Sequence, residues 1–156
     1  MNPRGVGLLV RAGSALLGAM WLIAALSKAT DPASAYEFAA RVVGGGTAAK
    51  ALLAATAAGE ALLGTVMLLG ALQGFVPTLA ALAAATASLV HVKSSFGGAV
   101  KCGCLALLAD SSVDQAIRRN GWIAALTVAL LVLDRVSRRR RAPGAAAASG
   151  PATDAP

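Results

Sequence analysis

Residues 48–92 read AAKALLAATAAGEALLGTVMLLGALQGFVPTLAALAAATASLVHV. Two stretches, about 48–72 and 75–92, are apolar nearly throughout and are parted only by Gln73-Gly74. A helix that crosses a bilayer needs about 20 mostly apolar residues. This region therefore predicts two spans joined by a very short turn, an antiparallel helical hairpin. Outward from the hairpin the pattern recurs on both sides. A first span covers about 6–26, and a fourth, the shortest, covers about 121–136 and ends in Arg135, Arg138, Arg139, Arg140 and Arg141. Two polar stretches separate these spans from the hairpin, Lys28 to about Gly46 and Lys93 to about Asn120.

Composition agrees. Of 156 residues 57% are hydrophobic and 13% charged, about half the charged content of a soluble domain, and the mean hydropathy is +0.70. A soluble domain of this length would leave much apolar surface in water, which drives association. The expected fold class is an all-α membrane protein, a four-helix transmembrane bundle over residues 1–141, followed by a disordered Ala/Pro/Ser/Gly-rich tail over 142–156. The first span has a basic residue ahead of it, as a secretory leader does. Its apolar run is longer than a leader's core and carries Arg11, so it is read as a retained span.

The formal charge is +7, but five arginines crowd into residues 135–141, directly at a helix end. That arrangement argues against nucleic acid as a partner and for a topology anchor on the lipid bilayer. Basic residues number the same on the two sides, but those in the long polar stretches are scattered and interleaved with Asp31, Glu37, Asp110 and Asp114. Both termini are accordingly expected in the cytoplasm, with the two long connections on the outer face of a cell (inner) membrane. Trp21 and Trp122 are expected in the aromatic belts.

The chain's two cysteines stand together in Lys101-Cys102-Gly103-Cys104. Thiols one residue apart close a small-ring disulfide that departs from relaxed geometry and is easily reduced. Strained, exposed disulfides tend to be catalytic or regulatory, and so short a loop constrains the unfolded chain too little for a structural role. Lys101 favours the thiolate of its neighbour. Three readings stand: redox exchange through Cys102 and Cys104, a soft-metal (Cu or Zn) site with His91 as an added ligand, and an incidental pair. The strained ring favours the first. Glu60, near the middle of the second span, is costly in hydrocarbon and must face the bundle or a wet cavity. Expected partners are His91, Ser88 or Thr86, or Arg11. Glu60 and His91 are candidates for lining a quinone or proton site; the alternative for Glu60 is an interhelical clasp. The chain has one histidine, and no phosphate loop, HExxH or nucleophile elbow is present, so hydrolase chemistry has no support.

Several of these pieces occur together in a known order. Arg11 with Leu16-Leu17-Gly18, then Ala24-Ala25-Leu26-Ser27-Lys28 and Asp31-Pro32, resembles the first helix of DoxX-like membrane proteins, and Glu60 with Leu62-Leu63-Gly64 resembles their second. Cys102-Gly103-Cys104 and then Arg119-Asn120 resemble the MauE branch, over roughly residues 8–136. Where that branch usually continues with Phe-Gly, this chain has Leu105-Ala106. The resemblance implies a four-helix membrane bundle. It also implies extracytoplasmic thiol–disulfide chemistry beside a thioredoxin-like partner, during maturation of an exported protein.

Overall fold

The computed structural model describes residues 3–69, 74–96, 101, 102 and 111–146. Helix α1 spans Pro3–Thr30, α2 Pro32–Val43, α3 Thr47–Leu68, α4 Phe75–Phe96 and α5 Val113–Ala146. Two short strands, β1 (Lys101–Cys102) and β2 (Ser111–Ser112), lie between α4 and α5. Their pairing is antiparallel, Lys101 opposite Ser112 and Cys102 opposite Ser111. Four helices, α1, α3, α4 and α5, are long and apolar enough to cross a membrane.

The boundaries differ from expectation where local chemistry extends a helix. The stretch from Lys28 to Gly46 is not a plain loop. Helix α1 runs on through Lys28 to Thr30 and stops because Pro32 disfavours helical geometry at the residue before it. The same proline then opens α2 at its first turn, where its missing N–H costs nothing. Within α2, Ala35, Phe38, Ala39 and Val42 fall on one face. Ala35 and Ala39 are buried, and Phe38 and Val42 pack against a core of Leu89, Val92, Val113 and Ala116. Gly44 and Gly46 take positive φ values of 83° and 76° at the turn into α3.

Helix α5 starts at Val113, well before the expected 121. Ser112 and Gln115 form a reciprocal cap: the Ser112 N–H donates to Gln115 Oε1 at 3.2 Å, and the Gln115 N–H donates to Ser112 Oγ at 3.3 Å. This is the Ser-x-x-Gln capping box, with Asp114 in the first turn facing the positive end of the helix dipole. The helix continues through the arginine cluster to Ala146; residues 147–156 of the expected tail lie outside the described residues.

Helix α3 packs chiefly on α1 and α2, while α4 packs on α5. Although α3 and α4 follow one another in the chain, they barely touch, so the expected hairpin is not a packed pair. The α1–α3 crossing is tight. A Cβ on Gly18 would sit 2.8 Å from the Gly64 carbonyl oxygen, and one on Gly64 would sit 2.8 Å from the Gly18 oxygen. Backbone approach of this kind is how membrane helices gain packing without a hydrophobic drive. Several threonine and serine hydroxyls of the spans, such as those of Thr65, Ser88, Thr127 and Ser137, donate to their own helix's carbonyls, whereas Ser14 donates across to the Met67 carbonyl at 2.8 Å and fixes the register. The α4–α5 pair is tied by a Lys93–Asp114 ion pair and by Asn120 Nδ2 donating to Thr86 Oγ1 at 3.3 Å.

Much of the outer surface is apolar. Leu8, Leu62, Leu69 and Trp122 are 72%, 66%, 79% and 79% exposed, which is stable only where lipid is the solvent. Trp122 thus faces outward as expected. Trp21 does not: it is half-buried against the core of Leu17, Met67 and Phe75. Asp134 pairs along its own helix, with Arg138 Nε donating to it at 2.8 Å one turn on.

The crossing yields a direct test. Gly64→Val is expected to destabilise the bundle by about 1–3 kcal/mol through overpacking. Gly59→Ala, where a Cβ meets nothing within 4 Å, is expected to be neutral or slightly stabilising. Unfolding of both variants in mixed micelles checks this; equal midpoints would contradict the crossing.

Candidate functional site

The interior holds two apolar cores and a polar layer between them. One core gathers Val6, Val10, Leu17, Met67, Phe75 and Leu130 near the terminal end, and the other gathers around Leu89 and Val113 near the long connections. Between them lie Lys28, Glu60, Arg119 and Asn120.

The predicted partners of Glu60 are corrected by the structure. Its carboxylate accepts from Lys28, whose Nζ lies 2.7 Å from both oxygens. The side chains are 7% and 16% exposed. Lys28 folds back along its own helix, so that Nζ also lies 3.5 Å from the Ala24 carbonyl oxygen. Ser88 donates to the Ala84 carbonyl instead, Thr86 accepts from Asn120, and Arg11 is exposed near the far end of α1. His91 is exposed on α4 and does not line the cavity that Glu60 lines. Lys28 escaped sequence reasoning because the first span was ended at Leu26. Continuing the apolar helical pattern up to Pro32 would have placed it inside.

Glu60 borders a cavity of about 350 Å³ between α3 and α4, with α1 and α2 completing its walls. The volume falls within the roughly 300–1,000 Å³ of small-molecule pockets. Its α3 wall includes Thr56, Gly59 and Leu63, and its α4 wall Ala81, Ala84 and Ser88. These facing surfaces of small residues would ordinarily let two helices close together. They stay apart because α3 is held to α1 by the glycine crossing and the ion pair, and α4 to α5 by its own polar ties. A second void of about 70 Å³, large enough for water, shares Trp21, Glu60 and Ala85 with the first and reaches Arg119 on α5. The buried Nε of Arg119 has no hydrogen-bond partner.

The strand holding Cys102 packs beside α2 and the start of α5. Arg41 of α2 stacks over the Phe96 ring, 5.7 Å from its centroid, at the same end. This strand thus stands on the helix whose other contacts wall the cavity. Cys104 lies outside the described residues, as do the side chains of Lys101 and Cys102. Among the described residues no group of three or more His, Cys, Asp or Glu side chains is placed to hold a metal ion.

Four apolar helices around a buried ion pair, with an outer surface suited to lipid, define a multi-pass membrane protein. The chain matches the family of the methylamine utilisation protein MauE over residues 6–133 and belongs to that family. Neither a curated protein nor a solved structure matches it.

The ion pair predicts an asymmetric response to mutation. Glu60→Gln leaves a buried ammonium uncompensated and is expected to cost about 3–5 kcal/mol. In the double variant Lys28→Met/Glu60→Leu, much of that loss returns. Unfolding in mixed micelles reads both; additive losses would show that the two groups are not coupled.

Proposed function

We propose that this MauE-family protein acts in extracytoplasmic thiol–disulfide chemistry, exchanging a Cys102–Cys104 disulfide with a thioredoxin-like partner during maturation of exported proteins. In one exchange a partner thiolate attacks a sulfur of the pair and forms a mixed disulfide. The second partner thiol then displaces it. One S–S bond breaks and one forms, and two electrons and two protons pass to the pair, which leaves as two thiols. The reverse sequence reduces the partner. The charge of Lys101 favours Cys102 as the attacking sulfur.

The observation that carries this reading is the β1–β2 pairing, which sets Cys102 in a short clasp beside α2 and the start of α5. The strand that carries Cys102 stands at an end of the bundle, the side a soluble partner would approach. The chain's only cysteines are these two, so no second pair relays electrons within one chain, and both reaction partners are other molecules.

The proposed topology puts both termini in the cytoplasm of the inner membrane and the clasp outside. Supporting it, three basic residues near the clasp end are already engaged or turned inward: Lys28 with Glu60, Lys93 with Asp114, and Arg119 toward the smaller void. At the opposite end five arginines crowd into residues 135–141, as basic residues do in cytoplasmic flanks.

Single variants test the exchange. Cys102→Ala or Cys104→Ala removes the resolving thiol for an attack by the other, so one of them should accumulate a covalent, reductant-sensitive adduct on non-reducing gels of intact cells. No adduct with either variant, together with full maturation of exported disulfide proteins, would contradict the proposal.

A further inference from the structure

We propose that the α3–α4 cavity binds an isoprenoid quinone, its ring between Trp21 and Ala85 within reach of Arg119 Nε and its apolar tail along the α3–α4 gap. The chemistry that follows rests on the redox reading above. The binding itself does not.

Three features select this occupant. The first is shape. The cavity lies between helices whose facing surfaces are small, Gly59 on α3 and Ala81, Ala84 and Ala85 on α4, and whose other ties prevent closure. An unbranched or isoprenoid chain in the bilayer fits such a gap. The second is the head end. Trp21 and Ala85 border both voids together with Glu60. An indole in that shared wall can stack on a flat ring with an offset.

The third feature is the unpaired donor. Arg119 Nε is buried without an acceptor and borders the smaller void. An orphaned buried donor costs free energy, and a quinone carbonyl would accept from it. An anionic lipid head is a poorer occupant. The Lys28–Glu60 pair is neutral as a unit, and taking a headgroup's charge to that depth carries a desolvation cost that a neutral carbonyl avoids.

Bound there, the quinone supplies the acceptor that a single cysteine pair lacks. Two thiols, of Cys102 and Cys104, give up two electrons and two protons and join in a disulfide; the quinone takes both and becomes the hydroquinone. The Cys102 strand packs on α2, which also walls the cavity.

The full chain reconstituted in phosphatidylcholine nanodiscs provides the test, with decylubiquinone as the probe. The chain has two tryptophans, so Trp122→Phe leaves Trp21 as the sole reporter in the cavity wall and Trp21→Phe leaves Trp122 facing outward. Quenching of Trp21 is expected to saturate, and quenching of Trp122 to rise linearly with quinone in the lipid. Gly59→Phe, whose new side chain starts in open space, should fold with an unchanged unfolding midpoint and abolish saturation. Arg119→Gln should weaken binding about tenfold, the loss of one charge-assisted hydrogen bond. Linear quenching of Trp21, saturation that survives Gly59→Phe, or a phospholipid that co-purifies and is not displaced by the probe would each overturn the proposal. The same titration on Cys102→Ser/Cys104→Ser separates the two readings: saturable binding should persist there. Adducts without binding sink the quinone site alone, and binding without adducts sinks the exchange alone.

Discussion

An ammonium and a carboxylate held 2.7 Å apart inside lipid, Lys28 against Glu60, set the terms for the rest of this bundle. Neither group is tolerable alone at that depth. Each needs the other, so the face of α1 and the face of α3 that meet are determined once the pair forms. The Gly18–Gly64 crossing and the Ser14–Met67 hydrogen bond lie further along the same antiparallel seam. Moving along α1 from residue 28 to 18 to 14 matches residues 60, 64 and 67 on α3, so one continuous interface carries a charge contact, a backbone contact and a hydrogen bond in order.

That seam also explains the cavity. With α3 committed to α1, and α4 committed to α5 through Lys93–Asp114 and Asn120–Thr86, the small faces of α3 and α4 are left opposite each other and unclosed. The ion pair serves as the polar end of an otherwise apolar chamber. The amphipathic helix α2 covers the chamber on the side where the Cys102 strand sits, which joins the two halves of the proposed chemistry.

Much of this was legible in the sequence, and the failures have physical causes. The four apolar runs gave the spans, because hydrophobic length in a bilayer overrides weaker signals. The inward placement of Glu60 follows from the cost of a charge in hydrocarbon. Helix α2 was missed because its apolar stripe is short and interrupted by Glu37 and Arg41, although Pro32 at the first turn and Ala35, Phe38, Ala39 and Val42 at helical spacing mark it. The start of α5 is invisible to hydropathy alone, whereas Ser112 and Gln115 mark it with a capping box. Lys28 as the partner of Glu60 required knowing that a lysine beyond the apolar run folds back along its helix. The exposure of His91 required the rotation of α4, which its packing on α5 fixes and which no local pattern in an alanine-rich span reveals.

The proposed chemistry requires a reactive sulfur pair outside the membrane, above a bundle whose charges are locked within. Cysteine accessibility in intact cells addresses it most directly. After mild reduction, a maleimide unable to cross the bilayer is expected to modify Cys102 and Cys104 as fully as a permeant one. Protection from the impermeant reagent, with full reaction toward the permeant one, would put the clasp on the wrong side and contradict the account.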